Sequence, residues 1–144
     1  MENAKYYLQQ VERLDALIEN KLIEKKQWED MALGITASIG GERVQSSGSQ
    51  QKMADAVIKC IDIETEIDKL IDELINTKKS VIATIEKLPN PTEYKILHMR
   101  YIQNIGLAEI AEILKREYTT ITTTHGRALK NVQTILDAKE YIKV

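Results

Sequence analysis

Apolar residues recur at helical spacing almost from the start of the chain. Tyr7, Val11, Leu14 and Ile18 follow at intervals of four, three and four residues, which puts them on one side of an α-helix. Leu17, Leu22, Trp28, Met31 and Ile35 widen and continue the stripe. A helix is predicted from about Ala4 to about Ile39, with Gly40 as its terminator. A second stripe holds Met53, Val57, Cys60, Ile67, Leu70, Leu74, Val81, Ile85 and Leu88, broadened by Ile61, Ile63, Ile71, Ile75 and Ile82. It predicts a helix from about Ser49 to Lys87, opened by Ser47 and Gln50 in capping-box spacing. At ~1.5 Å per residue each helix is expected to be on the order of 55 Å long.

Punctuation between these runs sets the organisation. Gly40 to Ser49 is rich in Gly and Ser and reads as an exposed connection. A loop of roughly ten residues folds two such helices back as an antiparallel hairpin. Leu88-Pro89-Asn90-Pro91 ends the second helix, because the residue before a proline is pushed out of the α region. The expected division is a long helical hairpin over 1–89 and a smaller module over 90–144. The stripes are wider than a two-per-heptad seam, so a lone hairpin leaves apolar surface wet. Two arrangements cover it. Either a second copy pairs with the hairpin in a homodimer or higher homo-oligomer, or the C-terminal module folds back onto it.

The module itself has three further helices. Asn90-Pro91-Thr92-Glu93 is a dense start signal: Asn accepts at the N-cap, Pro suits the first turn, and Glu returns the bond three residues on. Tyr94, Leu97 and Tyr101, with Ile96 and Ile102, face inward on a helix ending near Gln103. After the Asn104-Ile105-Gly106 turn, a short helix spans Leu107 to Leu114 with Ile110, Ala111 and Leu114 inward. The charged turn Lys115-Arg116-Glu117-Tyr118 leads to a longer helix from about Thr119, with Ile121, Ala128, Val132 and Ile135 inward. A short helix, a tight turn and a second helix packed on a preceding one is the helix-turn-helix arrangement. Ala111 suits a close crossing of the two.

Composition supports an all-α fold and removes several function classes. The 144 residues include no Phe, two Pro, six Gly and only 5% aromatics, too few for the aromatic and turn-rich strands of a sandwich or barrel. One cysteine, Cys60, forms no internal disulfide and no Cys-rich zinc site. It falls on the buried stripe and reads as a small core residue. No run of about 18 apolar residues is present, so no membrane span is expected and the chain reads as cytoplasmic. Residues 1–89 hold 12 basic and 16 acidic side chains, whereas 90–144 hold 8 and 6, the right sign for a C-terminal part that meets an anion. Neither histidine has a carboxylate or cysteine at ligand spacing. His98 reads as packed or partly exposed, and His125 as an orienting hydrogen bond inside the module. Glu64, Glu66, Asp68, Asp72 and Glu73 read as the solvated side of the second helix. No phosphate loop, dinucleotide fingerprint or catalytic triad order appears. The expectation is therefore a non-enzymatic protein with no cofactor and no metal.

Leu97-His98-Met99-Arg100-Tyr101, Ile105, Glu109-Ile110-Ala111-Glu112-Ile113-Leu114 and Arg127-Ala128-Leu129-Lys130 resemble region 4 of the sigma-70 family, the promoter-reading module of bacterial sigma factors. The likeness covers about residues 90–136. With the long N-terminal hairpin, the Arg43 to Ser49 loop and His125-Gly126-Arg127-Ala128-Leu129, the whole chain resembles small phage and prophage proteins of Gram-positive bacteria. Those are sigma-like relatives of ArpU- and RinA-type late transcription regulators. The resemblance implies a transcription regulator whose partners are double-stranded DNA and RNA polymerase.

With Ile121, Ala128 and Val132 inward, Thr119, Thr123, Gly126, Arg127 and Lys130 face outward, with Thr120 at the flank and Tyr118 at the entry. The start of such a helix enters the major groove. Threonine hydroxyls can bond base edges or phosphates, and their methyls can touch thymine. Arg127, Lys130, Lys115 and Arg116 can neutralise phosphate. Gly126 permits close approach, either to DNA or to a neighbouring helix. The first two turns of sigma-like recognition helices usually carry basic residues, whereas here they read Thr119-Thr120-Ile121-Thr122-Thr123-Thr124. Only four basic residues lie on the motif against Glu109, Glu112 and Glu117. One copy is thus expected to bind weakly, a deficit that two linked copies repair through effective concentration. The alternative is an interaction module, with the threonine run and the hairpin as protein-binding surfaces for RNA polymerase or a phage packaging component.

Overall fold

A computed structural model describes the backbone of residues 3–41 and 47–143, and the side chains of 3–34, 48 and 50–140. The fold is all-α, as expected. In chain order the helices are α1 (Ala4–Gly41), α2 (Ser47–Ile85), α3 (Pro91–Leu97), α4 (Leu107–Leu114) and α5 (Tyr118–Lys143). A π-turn, His98–Ile102, continues α3. The side chain of Ser47, the Arg43 to Ser46 segment and the side chain of Ile35 lie outside the described residues. Among the described residues no helix is long and apolar enough to cross a membrane.

Helix limits follow local chemistry. α1 runs through Gly40 to Gly41, since a helical glycine costs only about 1 kcal/mol. α2 ends at Ile85, two residues before the expected limit. There Lys87 N–H donates to the Thr84 carbonyl at 3.2 Å and Leu88 N–H to that of Ile85 at 3.1 Å. The chain thus tightens into shorter turns as Pro89 approaches. Asn90 caps α3 as expected, its Oδ1 accepting from the N–H of Thr92 at 2.9 Å and of Glu93 at 3.3 Å.

The chain divides into two compact units, Met1–Leu14 with Leu74–Val144, and Asp15–Glu73. In the first, the opening turns of α1 and the closing turns of α2 pack with the C-terminal helices. Tyr7, Leu8, Val11, Val81, Ile85, Leu88, Leu97, Tyr101, Ala128, Val132 and Leu136 form one buried cluster. The C-terminal helices therefore complete the core at this end, the second of the two arrangements considered above. Ile96, Met99, Ile110, Ala111 and Ile121 form another cluster, which closes α4 against α5. Ala111 is only 6% exposed, in line with a close crossing. Leu136 is buried and Ile135 only partly so, because the stripe Ala128-Val132-Leu136 keeps strict four-residue steps.

Polar ties run through the same unit. The Tyr7 hydroxyl lies 2.6 Å from Ser80 Oγ and 3.1 Å from Thr84 Oγ1. Lys139 Nζ donates to Thr84 Oγ1 at 2.9 Å. Glu93, expected to return a bond to the cap, has a different task. It is 2% exposed, and its two carboxylate oxygens accept from Asn131 Nδ2 at 3.2 and 2.9 Å, which pins α3 to α5.

In the second unit α1 and α2 run side by side. Ile18, Lys21, Lys25, Trp28 and Ala32 are half-buried along α1, and Ala56, Cys60, Ile63, Ile67 and Leu70 are buried or half-buried along α2. Cys60 Sγ lies 3.9 Å from the Lys25 carbonyl, with no sign of reactivity in its setting. The expected continuation of the α1 stripe holds at Trp28 and fails at three other positions. Leu17, Leu22 and Met31 are exposed at 42%, 50% and 52%. The 4-3-4 spacing that begins at Leu14 leads through Lys21 and Lys25 instead. Their stems cover the seam while their ammonium groups reach Glu66 at 2.7 Å and Glu64 at 3.3 Å. The hydrogen bond with Glu66 raises the Lys21 pKa and that with Glu64 raises the Lys25 pKa.

Removing Asn131 leaves a buried carboxylate without its donor. Asn131→Ala is expected to cost about 1–3 kcal/mol, read as a lower urea midpoint with an unchanged slope. A midpoint equal to that of the parent would show that Glu93 finds another partner.

Candidate nucleic-acid interface

Everything outward on α5 follows from what is inward. Ile121, Ala128 and Val132 are 0% exposed, so the opposite side of the rod is left open. Tyr118, Thr119, Thr120, Thr123, Arg127 and Lys130 are all exposed, as are Lys115 and Arg116 in the turn before it. The fold thus brings all eight predicted residues to open surface on the α4–α5 turn and the first half of α5. α5 starts at Tyr118, one residue early, so that tyrosine sits in the first turn rather than ahead of it. Among the described residues, none of Lys115, Arg116, Arg127 and Lys130 joins an ion pair. Among those residues no carboxylate lies within ion-pair distance of their charges.

The threonines are less free than their exposure suggests. Thr122 and Thr123 hydroxyls donate to the Thr119 carbonyl at 3.0 and 2.8 Å, and that of Thr124 to the Thr120 carbonyl at 2.8 Å. Such back-bonding occupies each hydroxyl proton within the helix. Lone pairs and methyl groups remain outward, which suits accepting a bond or touching a thymine methyl better than donating. Gly126 has an equally local reading. A Cβ added there would meet no atom within 4 Å, so packing inside the chain does not require glycine at that position.

The turn that aims α5 is built from an unexpected residue. Lys115 ends α4 in the left-handed region, with φ 56° and ψ 47°. Lys115 N–H donates to the Glu112 carbonyl at 3.2 Å and Arg116 N–H to that of Ala111 at 3.0 Å, the bonding of a Schellman end. Glycine usually serves there, and nothing in the local sequence marks a lysine for it. Asn104 adopts φ 58° in the preceding turn, a conformation asparagine tolerates.

Behind the surface, the Tyr101 hydroxyl lies 2.8 Å from His125 Nε2 with the rings stacked at 5.7 Å, the orienting bond expected of His125. Burial lowers the His125 pKa, and Arg100 and Lys5 lower it further. Burial also raises the Tyr101 pKa. A neutral imidazole paired to a phenol therefore fixes the middle of α5. Arg100 sits 5.5 Å from the Tyr101 ring and 3.8 Å from Glu12. Sequence periodicity does not single out Arg100 or Glu93, since each acts through a partner distant along the chain. Among the described residues no cluster of three or more His, Cys, Asp or Glu is placed to hold a metal ion.

Charge divides along the same lines as packing. The unit that contains α3 to α5 has 13 basic and 9 acidic residues, net +4, against 7 and 13, net −6, in Asp15–Glu73. This separation is sharper than the one between residues 1–89 and 90–144, because the basic stretch at the end of α2, with Lys78, Lys79 and Lys87 against Glu86, belongs with the C-terminal helices. A family model described as a protein of unknown function, DUF1492, matches residues 36–133, well over half of the chain. No curated protein and no solved structure matches the chain significantly.

Two outcomes follow from this geometry. Lys115→Gly removes a left-handed Cβ and is expected to add about 1 kcal/mol of stability, seen as a higher denaturant midpoint. No gain would mean that the lysine conformation is unstrained. The second concerns pH. A histidine with a lowered folded pKa stabilises fully above its unfolded value of ~6.5 and loses that contribution as pH falls below it and through the lowered folded value. Melting temperature should drop between neutral and mildly acidic pH, and His125→Gln should remove that part of the drop. An identical pH profile for the two proteins would exclude the paired imidazole as its source.

Proposed function

We propose a DNA-binding, non-enzymatic role for this chain, which belongs to the DUF1492 family. It acts as a phage- or prophage-type transcription regulator in the cytoplasm, with α4 and α5 as a sigma-70 region 4-like helix-turn-helix on double-stranded DNA. The α1–α2 pair serves self-association, and RNA polymerase is a further partner. No catalytic step is involved.

One observation supports this reading most. Arg127 and Lys130, with Lys115 and Arg116, stand exposed and without ion pairs around a helix whose inner side is locked in place. Cations held this way neutralise phosphates and release counterions on binding. Tyr118, Thr119, Thr120 and Thr123 lie at the start of α5, the part of such a helix that meets base edges. A second reading has its own support. Ile113 and Tyr118 are 50% and 54% exposed, and the back-bonded threonines present methyl groups. That surface also suits a protein such as RNA polymerase or a packaging component.

Fluorescence anisotropy with phage-promoter and random duplexes at two salt concentrations separates these readings. DNA binding predicts affinity that falls steeply with salt. Arg127→Ala and Lys130→Ala should each weaken binding to all duplexes and reduce the salt slope by about 1. Thr123→Ala should change sequence preference instead. Failure to bind any duplex at low salt, with polymerase captured in a pull-down, would overturn the first reading and favour the second.

A further inference from the structure

The Asp15–Glu73 unit buries very little. Among its described residues only Ala56, Ile63 and Ile67 are buried apolar side chains, whereas Leu17, Leu22, Ile23, Met31, Leu33, Val57, Ile58, Ile61 and Ile71 are exposed. Two helices make one layer, and a layer needs another to cover its apolar side.

The exposed residues are not spread evenly. On α2 the covered seam is Ala56, Cys60, Ile63, Ile67 and Leu70, in 4-3-4-3 spacing. One residue further on runs a second seam with the same spacing: Val57, Ile61, Glu64, Asp68 and Ile71, all exposed. On α1 the corresponding neighbour of the covered seam is Glu19, Leu22, Lys26, Glu29 and Leu33, also all exposed. The two uncovered seams share a face, because Lys25 on that side of α1 reaches Glu64 at 3.3 Å. The other edge of α2 is Asp55, Lys59, Asp62, Glu66 and Lys69, charged throughout. On α1 that other edge exposes Leu17 and Met31 among Asn20, Glu24 and Gln27, so the first face, with five apolar side chains against two, is the more apolar of the two.

We infer that this face, centred on Leu22, Leu33, Val57, Ile61 and Ile71, packs against the same face of a second copy to form an antiparallel four-helix bundle. The seam presupposes the self-association proposed above and names where it occurs. Five aliphatic side chains at 39–68% exposure offer roughly 450 Å² of apolar surface per copy. That is about the apolar share of a standard interface of ~800 Å² per partner. Charge fits one arrangement. With α1 lying on α2 of the partner in the register used within each chain, the 72%-exposed side chain of Lys26, which pairs with Asp30 at 3.2 Å, adds the partner's Glu64 to that pair, and Leu33 meets the partner's Val57. Four-helix bundles pack neighbouring helices antiparallel in this way, and the contact is closed by a twofold axis.

Light scattering on the full chain tests the face. The parent should run at twice 16.4 kDa. Ile61→Lys should halve that mass, and Met31→Lys, on the other edge, should leave it unchanged. Disulfide formation gives a readout that survives poor folding of Ile61→Lys. In a Cys60→Ser background, a Leu33→Cys chain mixed with a Val57→Cys chain should cross-link between chains. A monomeric parent overturns both the seam and the self-association reading. A dimer that resists Ile61→Lys, yields to Met31→Lys or fails to cross-link overturns the seam alone.

Discussion

The structure depends most on the docking of one side of α5. Ile121 closes the cluster shared with α4, while Ala128, Val132 and Leu136 close the cluster built on α1, α2 and α3. A helix is stiff over such a length, so fixing its inner stripe in two separate cores fixes the direction of every outer residue. Thr119, Thr123, Arg127 and Lys130 need no contacts of their own to be held in place. Glu93 with Asn131 and Tyr101 with His125 then stop the rod from sliding or turning. Both are polar and buried or half-buried, where a mispaired group costs more than an apolar mismatch. They therefore specify one register among the several that an alanine–valine–leucine stripe alone would accept.

The other unit is organised on a different principle. Its inner seam on α1 contains two lysines, and the cross-helix ties are ion pairs with Glu64 and Glu66. These pairs are largely exposed, so they set register more than they add stability. A pair of helices tied in that way forms a preset layer that has kept its best apolar surface for the outside. With the inferred second copy in place, such a layer would gain most of its burial on association, and its folding and assembly would be parts of one process.

Much of this was legible in the sequence because it is periodic. Helix existence, the Asn90 cap, the α4 limits and the inward positions Ile110, Ala111, Ile121, Ala128 and Val132 all follow from spacing and local chemistry. Leu22 and Met31 depart from the sequence expectation for a physical reason. Hydrophobicity places a leucine inside and a lysine outside, whereas continuing a 3.5-residue seam puts Lys21 and Lys25 at the contact and turns the leucine out. Glu93 looked like a capping residue because its cap geometry is local, but its partner lies on α5, a distance that no window of sequence spans. The left-handed Lys115 and the threonine back-bonds are invisible for a similar reason. They are conformational choices made by the fold around residues of ordinary type.

Segregation of charge links the two units to the proposed role. A unit at net +4, in which Lys115, Arg116, Arg127 and Lys130 join no ion pair among the described residues, favours a polyanion, and on the proposed reading the acidic neighbours on α4 would keep a single copy weak. A unit at net −6 gains nothing from phosphate and is free to be an assembly surface. On the proposed reading, joining two copies through the acidic unit would bring two cationic modules to one duplex, and the second contact would then form at the effective concentration set by the first. Salt acts on the two steps in opposite senses. It screens repulsion between acidic layers and so favours assembly, while it competes for phosphate and so disfavours DNA. If the proposed roles of the two units hold, such a chain would bind DNA as a pair or hardly at all, which would make a weak helix-turn-helix a concentration-dependent switch.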